Sequence, residues 1–249
     1  MSLLWTLWVW FFALGFTGLI CVFAIPFALF HQRSVVHRLG RYWGAVLSAA
    51  CGIRIVVENP ERFYRDGTML LVANHQSLLD VVAFFTFIDV PFGAMAKASL
   101  FKIPLFGAVI RGVGCIPVVR GNARKSMHSL VEAVESVRAG HSLMIFPEGH
   151  RSPDEGSLLP FKKGAFILAK KAAVPLQPIT IFGANRLMHP RQKKWLPRIQ
   201  PGTIRIVVHR PLMPEEYADL DAERLADRVF LAIDRPLERL KQIADILDA

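Results

Sequence analysis

From Ser2 to Phe30 the chain has no Lys, Arg, Asp or Glu, so every charge it carries lies further on. A stretch that long without charge excludes an ordinary soluble N-terminus. A membrane span needs about 20 apolar residues, and this one is longer. It also lacks the basic leading segment and the small-x-small cleavage site of a secretory signal, so it is expected to be retained. Cysteine is scarce: Cys21, Cys51 and Cys115 have neither metal-ligand spacing nor even pairing, which leaves reduced structural thiols. There is no G-x-G-x-x-G fingerprint, no P-loop and no internal repeat, so the usual dinucleotide and nucleotide triphosphate cradles are excluded. Acidic residues are outnumbered 20 to 30 by basic ones, giving a net charge of +10 over 249 residues. That surplus points to a membrane surface or an acidic ligand, and charge alone fits nucleic acid equally well.

What is present begins with apolarity. Hydrophobic residues make up 53% of the chain and mean hydropathy is +0.35, with the excess concentrated in the first 30 positions. Gly15, Gly18 and Pro26 offer places to break this run into two shorter helices, and Trp5, Trp8 and Trp10 suit a membrane interface. Spanning the bilayer and dipping into one leaflet both fit. His31, Arg33, His37, Arg38 and Arg41 follow at once, and such juxtamembrane charge marks the cytoplasmic side. Arg33, His37 and Arg41 recur every four residues, with Val35, Val36, Leu39 and Trp43 on another face. The spacing predicts a basic amphipathic helix resting on anionic lipid. A second basic cluster, Arg186 to Arg198, mixes charge with Trp195 and two prolines and reads as a loop suited to a headgroup or an acidic carrier.

Beyond these segments, apolar strands alternate with helices. Strands are predicted at GIRIVVE, GTMLLVA, PFGAMAK, CIPVVR, HSLMIF, VPLQPITIF and TIRIVVHR. Helices are predicted between them, and the C-terminal helices are expected to break at Pro236. This is an α/β pattern: a mixed, mostly parallel sheet flanked by helices. In such sheets the polar residues just past apolar strands line the ligand crevice. Asn74-His75 and Pro147-Glu148-Gly149 are placed there.

The stretch LLVANHQSLLD carries two readings at once. Ser77 and Asp80 fit a capping box, with Ser77 as N-cap and Asp80 three residues on, which leaves His75 a loop residue. Alternatively, a turn brings Asp80 onto one imidazole nitrogen of His75, fixing its tautomer and leaving the other nitrogen as a general base. No protein nucleophile accompanies that pair, so a substrate hydroxyl would supply one. In FPEGHRS, the turn is expected to expose Glu148, let backbone approach closely at Gly149 and project Arg151, a residue type suited to bidentate phosphate binding.

Four segments in order, NHQSLLD, GCIPVVR, FPEGHRS and VPLQPI, resemble the motif blocks of the glycerophospholipid acyltransferase family, in its bacterial 1-acyl-sn-glycerol-3-phosphate acyltransferase form. KASLFKIPLFG is similar to the family's approach between the first two blocks. Pro117 stands where the family has Phe, and His150 where it has Thr. The resemblance implies an acyltransferase domain over residues 51–249 behind an anchor at 1–50. It implies transfer from acyl-CoA or acyl-carrier protein to the sn-2 hydroxyl of lysophosphatidic acid. His75 and Asp80 would be catalytic, and Arg120, Glu148, Gly149 and Arg151 would bind the acceptor. No metal or resident cofactor is implied. The partners implied are membrane lipid and the two substrates, not nucleic acid, at the inner face of the cell membrane; no oligomeric state is implied. Other lysophospholipids, glycerol 3-phosphate or a lyso-aminolipid as acceptor, and a non-catalytic lipid-binding protein, are the alternatives.

Overall fold

The computed structural model describes residues 3–119, 123–154, 156–189 and 197–247. In chain order the elements are α1 (Leu3–Leu29), α2 (Arg33–Ala50), β1 (Ile53–Glu58), β2 (Leu70–Ala73), α3 (Leu79–Phe87), β3 (Phe92–Lys97), α4 (Phe106–Gly112), β4 (Ile116–Val118), α5 (Ala123–Arg138), β5 (Ser142–Ile145), α6 (Gly164–Ala172), β6 (Leu176–Phe182), α7 (Ala184–Leu187), β7 (Gly202–Val208) and α8 (Ala222–Leu247). The strands form one sheet in the order β1-β7-β6-β2-β5-β3-β4. All neighbours are parallel except β6 and β7, so β7 and β1 run against the other five. The sequence expectation of a mixed, mostly parallel sheet with flanking helices is met.

β2 lies between β5 and β6, with Val72 level with both Ile145 and Pro178. Strands covered on both faces read as continuous apolar runs, which is why Met69 to Ala73 contain no polar residue and are fully buried. Alternate side chains then feed two cores. Met69, Leu71 and Ala73 meet Ala83 and Phe84 of α3 on one face. Leu70 and Val72 meet α5, α6 and α8 on the other. Pro117 lies on the edge strand β4, where a missing N–H is tolerated.

Three sequence expectations are corrected. The apolar N-terminal run does not break: α1 is continuous through Gly15 and Gly18, and Pro26 falls in its last turn. α8 likewise continues through Pro236, because its buried stripe (Leu225, Val229, Ile233, Leu237, Leu240) spans the proline and packs on both sides of it. The third correction concerns α2. Arg33, His37 and Arg41 do not rest outward on a surface; His37 is buried and the two arginines are half-buried. Gly40, Gly44 and Ser48 share their face and set it against α3. A Cβ on Gly44 would stand 2.9 Å from the Val82 carbonyl, and Ser48 and Thr86 hydroxyls meet at 3.3 Å. Three small residues, not the valines, chose the inner face. The valine side instead receives α1, where Trp43 Nε1 donates to Thr17 Oγ1 at 2.9 Å.

α1 is thus the outer layer, held along its whole length. Trp5 and Trp10 donate to the carbonyls of Ile199 (3.1 Å) and Pro197 (2.7 Å), and Val9 belongs to the main core. At its other end Gly112 of α4 passes so close that a Cβ there would lie 2.3 Å from the Ala28 Cβ. The opposite side of α1 exposes Leu4, Leu7, Phe11, Leu14 and Phe23. We predict that Gly112→Val, which forces α4 off α1, costs about 1–3 kcal/mol as an overpacked contact. Gly18→Ala, with nothing within 4 Å of its Cβ, stays within about 0.5 kcal/mol of wild type. Thermal unfolding in detergent micelles checks both.

Candidate active site

Polar residues begin where the β2 ladder ends, and each has an assigned task. Asn74 ties β2 to β6, its amide donating to the Ile181 carbonyl at 2.9 Å and accepting from the Ile181 N–H at 2.7 Å. The His75 N–H donates to Glu148 Oε1 at 2.7 Å, and its carbonyl accepts from the Ser152 N–H at 2.8 Å. Those two bonds join the turn after β2 to the turn after β5. The imidazole stacks on Phe146, centroids 4.1 Å apart and planes 18° from parallel. Its Nδ1 lies 2.7 Å from Asp80 Oδ2.

Asp80 is fully buried. The same Oδ2 also accepts the N–H groups of Gln76 (2.7 Å) and Ser77 (2.9 Å). Both sequence readings of this stretch therefore hold in one geometry: the carboxylate closes the helix entry and faces the imidazole. Only half of the capping box forms, because the Ser77 hydroxyl donates to the Met188 carbonyl at 2.9 Å instead of capping α3. That bond removes Ser77 as a nucleophile beside His75. Cys115 is no nucleophile either: burial pushes its thiol up to about 11, and it precedes β4, at the opposite end of the parallel strands. With Nδ1 engaged, Nε2 is the nitrogen left to take a proton.

Glu148 is not exposed as the sequence suggested; it is 3% accessible. Its second oxygen accepts the Leu159 N–H at 3.0 Å, so both oxygens serve backbone donors. Burial drives its pKa up to about 7 against those two hydrogen bonds, with Asp80 adding to the rise. Gly149 takes φ +71°, a left-handed conformation that favours glycine, and Lys162 Nζ lies across the turn, 2.6 Å from where a Cβ would sit. His150 and Arg151 are exposed on the same turn. Arg120 and residues 190–196 of the basic loop lie outside the described residues.

Sequence reading missed Phe146, Gln76 and Asn185. Phe146 forms the stacking floor under His75. The Gln76 amide and Asn185 Oδ1, like Asp80 Oδ1, are buried without a hydrogen-bond partner among the described residues. These belong to the segments leaving the C-terminal ends of β2 and β6, where a polar ligand would satisfy them. A run of four consecutive polar residues, Asn74 to Ser77, straight after a buried strand was the available signal. Among the described residues no His, Cys, Asp or Glu group is arranged to hold a metal ion.

Fold and site together set a buried His–Asp pair, of a kind suited to general-base chemistry, where the central strand of a mixed α/β sheet ends. The chain belongs to the family described as Acyltransferase, whose pattern it matches over residues 54–182. It is 29% identical over 232 residues to the 1-acyl-sn-glycerol-3-phosphate acyltransferase of Salmonella typhimurium, covering 91% of each chain. It is 30% identical over 208 residues to a chloroplastic 1-acyl-sn-glycerol-3-phosphate acyltransferase of Brassica napus, covering 82% of this chain and 58% of that one. The chain therefore spans little more than half the length of its plant relatives. The crystal structure of the Thermotoga maritima 1-acyl-sn-glycerophosphate acyltransferase superposes with a TM-score of 0.81 at 30% identity, over 96% of both chains.

The raised pKa of Glu148 gives a signed prediction. Between about pH 4.5 and 7 an unfolded Glu148 has lost its proton while the folded one keeps it, so ionisation there costs the folded state. Unfolding free energy of wild type relative to Glu148→Gln should fall by on the order of 2 kcal/mol as pH rises through that window and level off above it. Urea titrations at pH 5, 6, 7 and 8 read it directly.

Proposed function

We propose that this protein transfers a fatty acyl group from the thioester of acyl-CoA or acyl-carrier protein to the sn-2 hydroxyl of lysophosphatidic acid, giving phosphatidic acid. One observation carries the reading: a buried Asp80 oxygen 2.7 Å from His75 Nδ1, with neither Ser77 nor Cys115 available as a protein nucleophile. The names of the bacterial and plant relatives supply the acceptor.

In this scheme His75 Nε2 takes the hydroxyl proton as the oxygen attacks the thioester carbonyl. Asp80 stabilises the imidazolium that forms. The tetrahedral intermediate then collapses, the C–S bond breaks, and the leaving thiolate takes the proton back from His75. Glu148 acts through His75 as a positioning residue, since both its oxygens hold backbone. Gly149 and Arg151, joined by Arg120, bind the acceptor's phosphate; a guanidinium fork matches it and an acceptor without phosphate would not need it. The acyl donor is a co-substrate, not a resident cofactor.

The site is proposed to sit at the cytoplasmic face of the cell membrane. α1 is long and apolar enough to cross a bilayer, with 27 residues and a length of about 40 Å. Yet Trp5 and Trp10 are fastened to residues 199 and 197 and its far end to α4, so it accompanies the domain throughout. We therefore place α1 sideways in one leaflet, apolar face inward, which holds the crevice where the lipid acceptor resides.

Labelled oleoyl-CoA and lysophosphatidic acid in mixed micelles test the proposal. Wild type should form phosphatidic acid and little free fatty acid, while His75→Ala and Asp80→Asn each lose about 10²- to 10⁴-fold in rate. Retained activity in His75→Ala would overturn the assignment.

A further inference from the structure

Seven buried side-chain polar atoms among the described residues have no hydrogen-bond partner in the protein. Four belong to Gln76, Asp80 and Asn185 in the crevice just described. The other three are Arg33 Nη1, His37 Nε2 and Arg41 Nε, one per turn along a single face of α2. Buried polar groups are almost always satisfied, so a cluster that is not calls for an explanation, a bound anion or ligand among them. The α2 cluster has the same signature as the crevice cluster, with a different charge.

Among the described residues no acceptor is hydrogen-bonded to these three atoms. His37 is 1% exposed and wedged between the rings of Phe85 and Phe92. Gly114, at φ +93°, brings bare backbone up to Arg33; a Cβ there would lie 3.2 Å from Nη1. His141, just ahead of β5, feels the Arg33 charge, and burial and that charge both lower its pKa. Arg111 of α4 lies over the Phe101 ring and donates to the Gly107 carbonyl. The acidic group that reaches His37 is Asp89 beyond α3, and it already bridges Arg65 at 3.2 Å. α1 brings no charge at all. Burial and Arg41 hold His37 well below its ordinary range, at about 4, so two permanent cations flank a neutral imidazole. Phe92, His141 and Gly114 all stand at the N-terminal ends of β3, β5 and β4. Because those strands are parallel, the cluster occupies the edge of the sheet opposite His75.

We propose that Arg33, His37 and Arg41 form a second, non-catalytic site that takes the phosphate of an anionic membrane lipid. Two guanidinium groups two helix turns apart on one face of α2, with the imidazole Nε2 on the turn between them, supply the kind of donors that a tetrahedral oxyanion takes. A lipid, not free phosphate, is favoured by what adjoins the site. The turn leading into Arg33 exposes Leu29 and Phe30 at 67% and 77%, next to Phe27, so acyl chains attached to the bound phosphate have apolar surface to lie on. The site would lock the α1–α2 hairpin to one headgroup and so fix the depth of the domain. It stands independently of the acyl-transfer reading.

The test uses the full-length protein in two arms. Flotation with phosphatidylcholine vesicles, with and without phosphatidylglycerol, compares wild type, Arg33→Lys/Arg41→Lys and Arg38→Gln. The lysine pair keeps charge but loses the forks, and Arg38 is exposed away from the cluster. The site predicts that the lysine pair weakens the preference for phosphatidylglycerol by about tenfold, whereas Arg38→Gln weakens it no more than the about fivefold of one surface charge. An unaffected lysine pair, or a wild type without preference, overturns the proposal and leaves diffuse surface attraction. The second arm follows the His37 ring resonances of wild type in micelles, so it holds even if the lysine pair does not fold. Short-chain phosphatidylglycerol should shift them and raise the His37 pKa. No shift overturns the site, and saturation by millimolar inorganic phosphate with no further response to lipid overturns the lipid as its ligand.

Discussion

Asp80 Oδ2 receives three donors at once: His75 Nδ1 and the backbone N–H groups of Gln76 and Ser77. The two backbone bonds bend the chain at the mouth of β2 into a turn that the carboxylate itself stabilises, and the third points the imidazole. The orientation of the imidazole and the start of α3 are consequently one structure. Replacing that carboxylate would free the ring and loosen the entry to α3 together. The oxygen is fully buried, so each of these bonds acts with little competition from water.

The turn is held from the other side by Glu148, which reaches across from the end of β5 to the His75 N–H while the His75 carbonyl takes the Ser152 N–H. β2 and β5 are hydrogen-bonded neighbours, and these contacts extend their pairing past the ladder into the loops. Asn74 performs the same service toward β6. Three central strands thus converge on His75 through side-chain-to-backbone bonds, with the turn at Gly149–Arg151 beside it. Rigid elements on three sides are what the proposed general base would need to hold a hydroxyl in line.

Much of this was legible in the sequence because it rests on local rules. Continuous apolar runs ending in Asn-His and Pro-Glu-Gly located the strands and the crevice, and the five-residue spacing of His75 and Asp80 located the pair. What escaped the sequence depended on partners far away in the chain. Periodicity put Arg33, His37 and Arg41 on a face meant for anionic lipid, yet Gly40, Gly44 and Ser48 allow α3 to approach so closely that those three turn inward with them. Pro26 and Pro236 looked like breaks, but each costs one helical bond and the packing on either side outweighs it. Glu148 looked like a projecting side chain because the Leu159 donor that buries it lies eleven residues on, in an irregular segment.

The central claim is that the acyl group passes straight to the acceptor hydroxyl, with His75 moving a proton and no protein atom acylated. Incubating the protein with stoichiometric labelled acyl-CoA in the absence of acceptor, then quenching and weighing the intact chain by mass spectrometry, tests it directly. The account predicts an unmodified mass, with CoA release beginning only when acceptor is added. A burst of CoA matched by an acylated chain, at Ser77, Cys115 or any other residue, would contradict it.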